Sequence, residues 1–259
     1  MPRGPHGADS NAVVTSRIHG VTLLDIAHGL FGAESTFWGR YFKRPGNTDP
    51  VQYQPGIENA PLAAREIRVL PTARQTNHVG RDEATGRADA VGNVDAVLLA
   101  FGPAHLAQHG GEFYFFLDTE PGTPMSREYY RGWARTVVEH SRERTSNNVT
   151  LLPCVYLNQQ DGTTCRAIQQ NIDDGIGCHG LWTARYFFHD NSGCHRPVDW
   201  DPDRALPLHH PPSCPTRIWQ YVGDCFGATE ENGPIDGNQL NPELAEETLR
   251  HLIPPPGAD

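Results

Sequence analysis

The chain has 259 residues, enough for one large hydrophobic core and also for two small domains. Asp plus Glu number 31 against 21 Lys plus Arg, a formal charge of −10, which argues against a generic binder of nucleic acid or of anionic membranes. No stretch is long and apolar enough to span a bilayer.

In chain order, residues 1–17 are polar and read as a flexible N-terminal tail. They lack the apolar run of a secretory signal, so export would rely on a signal removed before this numbering starts. Residues 20–27 read as a first strand ending near Asp25, and residues 34–37 as a helical turn. Residues 38–42 form a second strand, followed by a loop rich in Pro, Gly and Asn. Residues 60–67 are helical and residues 69–73 make a third strand. Residues 80–108 carry a long Ala-rich helical pattern with Val91, Val94, Val97 and Leu98 among its apolar positions.

The central stretch is Glu112 to Glu120, a run of aromatic residues that ends on two acids. As a strand it places Tyr114, Phe116, Asp118 and Glu120 on one face. A helix then starts at Thr123-Pro124 or at Ser126 and runs to about residue 144. A strand follows at 149–157, a helix at 164–174 and a strand at 181–187. Residues 188–215 break the alternation with a Cys- and Pro-rich insertion. A seventh strand is expected at 217–222, a short eighth at 234–237 and a helix at 242–252, before a Pro-rich tail at 254–259.

Strand–helix alternation is the mark of a parallel α/β fold. With this length it predicts a single irregular TIM-like (β/α) barrel over residues 18–253, whose last strands lack full helices. All six cysteines fall in the second half, none with Cys-x-x-Cys spacing. That pattern predicts up to three disulfides and an oxidising compartment, with the pairing left open.

In a parallel α/β protein, ligands bind beyond the carboxyl ends of the strands. Asp118 and Glu120 sit at such an end. Two carboxylates this close repel when ionised, so one stays protonated beside a charged partner, the division of labour of a glycosidase. Thr123 and Ser126 are better placed to cap the next helix, which leaves both acids without a structural task. Asp25 and Asp236 end the expected first and last strands, although Asp236 also fits a plain Asp-Gly turn. Arg40 could pair with one of these acids. Tyr156, Trp182, Tyr186, Trp219, Gln220 and Tyr221 supply flat walls and polar tips suited to a sugar, with core packing as the alternative for about half of such aromatics. The loop histidines His179, His195, His209 and His210 show no metal spacing, and Gly-rich phosphate loops are absent. Neither a metal nor another cofactor is expected.

The ordered pieces Leu24-Asp25, Gly39-Arg40-Tyr41, Val69-Leu70-Pro71, Phe115-Phe116-Leu117-Asp118-Thr119-Glu120, Leu181-Trp182-Thr183-Ala184-Arg185-Tyr186, Trp219-Gln220-Tyr221 and Ile235-Asp236-Gly237-Asn238 carry a resemblance. The pattern resembles glycoside hydrolase family 25 muramidases and the related glycoside-hydrolase-like barrels of bacterial cell-envelope proteins (domain of unknown function 1906). It spans about residues 20–241. The resemblance implies cleavage of the β-1,4 bond after N-acetylmuramic acid in peptidoglycan, with Glu120 as general acid. Asp118 would orient the 2-acetamido group, and Asp25 and Asp236 would line the cleft.

The leading expectation is therefore a secreted or cell-envelope glycosidase, monomeric, acting on peptidoglycan or a related amino-sugar polymer. A non-catalytic glycan-binding barrel is the rival, motivated by the cysteines and the insertion. A weaker third reading uses Asp25, Asp118, Glu120 and Asp236 as oxygen ligands of a hard cation.

Overall fold

The computed structural model describes residues 3–43, 52–74, 78–120, 122–186, 194, 198–225 and 235–257. The chain enters through strand β1 (His6–Asp9), then a small hairpin of β2 (Arg17–Ile18) and β3 (Val21–Thr22), then helix α1 (Leu23–Phe31). Strand β4 (Phe37–Tyr41), helix α2 (Pro55–Ala63), strand β5 (Arg68–Arg74) and helices α3 (Glu83–Phe101) and α4 (Pro103–Gln108) follow. The second half runs β6 (Glu112–Asp118), α5 (Arg127–Arg144), β7 (Thr150–Asn158), α6 (Gly162–Asp173), β8 (Leu181–Ala184), α7 (Pro202–Ala205), β9 (Thr216–Cys225), β10 (Ile235–Leu240) and α8 (Ala245–Arg250).

Eight strands close into a barrel in the order β1-β10-β9-β8-β7-β6-β5-β4. The α/β barrel expected from the alternation is therefore present, and it is irregular where expected. β10 runs antiparallel to both β1 and β9, and among the described residues the single turn of α7 is the one helix between β8 and β9.

Alternation along β6 builds both layers of the core. Phe113, Phe115 and Leu117 face the helices, where they join Trp133 and Val97. Tyr114 and Phe116 face the barrel interior with Phe37, Leu70, Cys154, Trp182, Ile218 and Leu240. Helix α8 closes the end of the barrel away from Asp118. Glu247 on α8 accepts from Tyr114 Oη and Arg217 Nη2, both at 3.0 Å, and the guanidinium lies 4.4 Å from the centre of the Tyr114 ring. Helices α3 and α5 touch backbone to backbone. A Cβ at Gly86 would strike the Tyr129 carbonyl, and one at Gly132 the Glu83 carbonyl. Only glycine allows that approach.

Several expectations are corrected. The segment expected as a loose tail contains β1, which completes the barrel between β10 and β4. The first strand expected at 20–27 is instead β3 running into α1. Thr22 caps that helix by accepting from the Asp25 amide. The last strand is six residues long rather than a short fragment. One disulfide, Cys194–Cys225, is formed, while Cys154, Cys165, Cys178 and Cys214 are free thiols buried in the protein. Part of the insertion at 188–215 lies outside the described residues.

Candidate active site

The carboxyl ends of the barrel strands surround a cleft of about 260 Å³. Asp118 closes β6, and its register partner on β5 is Arg74. Glu120 lies two residues further along and is partly exposed to the cleft. Across the barrel, Asp9 closes β1 and is paired in register with Asp236 on β10. Tyr41, Tyr156, Trp182 and Tyr186 supply rings, and Asn11, Thr72, Gln220 and Asp224 supply further polar groups.

Amides hold the Asp9 side of the cleft. Gln220 Nε2 donates to Asp9 Oδ1 at 3.0 Å and to Asp236 Oδ2 at 3.2 Å. Asn238 Nδ2 donates to Asp9 Oδ1 at 2.6 Å. Both amides are themselves oriented from behind: Tyr156 Oη donates to Gln220 Oε1 at 2.9 Å, and Trp182 Nε1 to Asn238 Oδ1 at 2.8 Å. The Asp224 backbone N–H donates to Asp236 Oδ1 at 2.6 Å.

Burial dominates the electrostatics. It pushes the Asp9 carboxyl up to about 6, against the pull of the Asn238 and Gln220 amides, and the Glu120 charge pushes the same way. Burial, then the neighbouring Asp9, raises Asp236 well above the usual carboxylate range. The Tyr41 and Tyr156 hydroxyls are pushed up by burial and then by the surrounding carboxylates, so both stay neutral donors. Opposite, Asp118 is 1% exposed, with Arg74 Nη1 at 3.8 Å.

Of the residues singled out in the sequence, the cleft brings together Asp118, Glu120, Tyr156, Trp182, Tyr186, Gln220 and Asp236. Four others lie elsewhere. Asp25 sits at the surface in the first turn of α1, where Thr22 and Arg65 hold its carboxyl below the usual range. It is not a cleft residue, and Asp9 occupies the position expected of it. Arg40 is fully buried behind β1 and β4. It binds Glu58 through Nε at 2.7 Å and Nη2 at 3.0 Å, and the Ser10 carbonyl through Nη1 at 2.8 Å. It reaches the site only through its charge, which lowers Asp9. Trp219 and Tyr221 point out of the barrel: Trp219 Nε1 donates to the Arg185 carbonyl at 2.8 Å, and the Tyr221 ring faces His6. The cation-site reading loses its geometry with Asp25. Among the described residues, no group of three or more His, Cys, Asp or Glu is arranged to hold a metal ion.

No protein-family model matches the chain, and no curated protein matches it. Solved structures do. An uncharacterized protein of B. stearothermophilus superposes with a TM-score of 0.64 at 18% identity, over 96% of this chain and 100% of that one. A Tat-secreted protein of Mycobacterium tuberculosis gives 0.50 at 15% identity, over 92% and 95%. A glycosyl hydrolase 25 of Streptococcus pneumoniae, described as participating in host cell invasion, gives 0.49 at 16% identity, over 96% and 94%. At these identities the likeness is one of fold.

Proposed function

We propose that the protein is a glycoside hydrolase acting on peptidoglycan or a related amino-sugar polymer outside the cytoplasm. The observation that carries the reading is the convergence of Asp9 and Asp236, paired on β1 and β10, with Asp118 and Glu120 at the end of β6, in one aromatic-walled cleft. Such a cleft suits a sugar, whose ring faces are apolar and whose edge is hydroxyl-rich. The cystine Cys194–Cys225 suits an oxidising compartment.

In this reading Glu120, the acid with access to the cleft, protonates the glycosidic oxygen as the bond breaks. Asp118 sits behind it beside Arg74 and orients the sugar's 2-acetamido group, whose carbonyl attacks the anomeric carbon. Asp9 and Asp236 hold the sugar chain from the opposite wall, and Tyr156 and Trp182 form the floor. Glu120→Gln keeps shape and hydrogen bonding but removes the proton to be given. It should leave the fold intact and reduce release of new reducing ends from purified cell wall by at least about a hundredfold. Unchanged turnover would refute the role of Glu120.

A non-catalytic glycan-binding barrel remains the second reading, favoured by the near-complete burial of Asp118. Retention of a glycan without new reducing ends, in the same assay, would select it.

A further inference from the structure

We propose that the wall formed by Asp9, Asp224, Asp236 and Tyr186 is a subsite for a sugar carrying a free amino group, so that the cleft prefers a partly de-N-acetylated amino-sugar chain over a fully acetylated one. The inference rests on the amino-sugar reading of the cleft and names the substitution on one of its sugars.

Charge is unevenly placed around the rim. Among the described residues that line the cleft, Arg74 is the one Lys or Arg side chain. It is engaged on the β5–β6 side, 3.8 Å from Asp118 and 4.9 Å from the centre of the Tyr41 ring. In the ring of eight strands, β9 and β10 stand opposite β5 and β6. That wall, with the adjoining end of β1, gathers three carboxyls. Asp9 and Asp236 are register partners, and Asp224 joins Asp236 through its backbone N–H. Gln220 and Asn238 supply neutral donors only. Asp9 adds to the burial that raises the Asp236 carboxyl, and Glu120 adds to the burial that raises Asp9, a rise that the Arg40 charge behind the wall opposes only in part.

Tyr186 completes the subsite. Its ring lies against the backbone of Gly223, where any Cβ would overlap it, and this packing sets the phenol beside Asp224. Its hydroxyl feels the charges of Asp236, Asp9 and Asp224. An ammonium offers three donors to such a ring of acceptors and a cation to an aromatic face. An acetamido group offers a carbonyl oxygen and a methyl, which three carboxyls repel or ignore. Low-dielectric walls focus the field on whatever enters.

The test is calorimetric binding of glucosamine trimer and of its fully N-acetylated counterpart, at pH 7 and low salt, to the wild type and to Glu120→Gln. The expected result is at least about tenfold tighter binding of the free-amine trimer, as charge-assisted hydrogen bonds would supply. Asp224→Asn removes a charge whose side chain makes no hydrogen bond or ion pair among the described residues, and should cut that preference severalfold. Raising salt to about 0.5 M should weaken the free-amine trimer more than the acetylated one. Equal affinities, a preference for the acetylated trimer, or a preference indifferent to Asp224→Asn would overturn the proposal. Cleavage is not read in this assay. Absence of hydrolysis would therefore count against the hydrolase and not against the subsite, whereas hydrolysis of acetylated wall with no free-amine preference would count only against the subsite.

Discussion

Gln220 stands between Asp9 and Asp236, and its single amide nitrogen reaches both carboxyls, at 3.0 and 3.2 Å. The amide cannot turn over, because Tyr156 Oη occupies its oxygen. One side chain thus fixes the orientation of two acids on two strands, and is itself fixed from a third.

Replacing Gln220 tests that linkage. Gln220→Leu removes one donor from each acid and leaves Asp9 with Asn238 alone. A hydrogen bond to a charged group contributes roughly 1.5–3 kcal/mol. Turnover on glycan should fall about ten- to a hundredfold, and the acidic limb of the pH–rate profile should move upward as the acids lose stabilisation of their charged forms. Gln220→Glu should be worse, since it adds a third acid. A pH–rate series alongside circular dichroism separates this from unfolding.

The raised Asp9 carboxyl makes a stability prediction with a definite sign. Its pKa is about 6 in the fold against 3.8 for the free group, so the folded state binds that proton more tightly than the unfolded chain. The stabilising contribution is complete below about pH 4, is lost as pH rises from about 4 to 6, and leaves a cost of about 3 kcal/mol at pH 7. Asp9→Asn keeps the Oδ1 acceptor for both amides and removes the charge. It should raise stability at pH 7 by about 1–3 kcal/mol and make no difference below about pH 4, while lowering glycan turnover. Urea melts at pH 7 and pH 4 would check it; equal gains at both would show that charge is not the cause.

These same residues mark what the sequence could and could not disclose. β6 was legible because aromatic alternation and a terminal acid pair are strong period-two signals. β1 was not, because His6-Gly7-Ala8-Asp9 has almost no apolar alternation. Its Gly7 is required by the Phe37 ring, which a Cβ would strike. Asp25 was misplaced because Leu23-Leu24 before it looks like a strand, although Thr22 three residues ahead is a helix-capping signal. Trp219, Gln220 and Tyr221 cannot all face one cleft on one strand. Period two allows either Gln220 or its two neighbours, and Ile218 in the barrel interior decides for Gln220. Asp9 itself, without periodicity or motif to mark it, emerges only when the barrel closes.

Arg40 belongs to the fold and should behave so. Its guanidinium and the Glu58 carboxylate are both fully buried, and Glu58 also accepts from the backbone N–H of Val14 and Gln54. The pair thereby ties β4 to the chain just after Asp9 and to the start of α2. Arg40→Ala would strand a buried carboxylate, a loss of about 3–5 kcal/mol. The double change Arg40→Met with Glu58→Leu should lose less than Arg40→Ala alone, since no unpaired charge remains. If Arg40→Ala instead left the melting temperature unchanged and weakened only glycan binding, Arg40 would be a substrate contact after all.

The disulfide offers the last test. Cys194–Cys225 joins the insertion to the end of β9, across 31 residues of sequence. It lies one residue from Asp224 and so holds the rim where the free-amine subsite is proposed. Loss of a loop constraint of this length costs about 3–4 kcal/mol in the chain-entropy account. The double change Cys194→Ser with Cys225→Ser should lower stability by up to that amount, and reductant should do the same to the wild type but not to the variant. The four remaining thiols are buried, and burial pushes Cys154, Cys165 and Cys214 up, away from reactivity. Alkylation of the native, unreduced protein should therefore modify none of these three. Rapid modification of any of them would mean that the second half of the barrel opens far more readily than its packing implies.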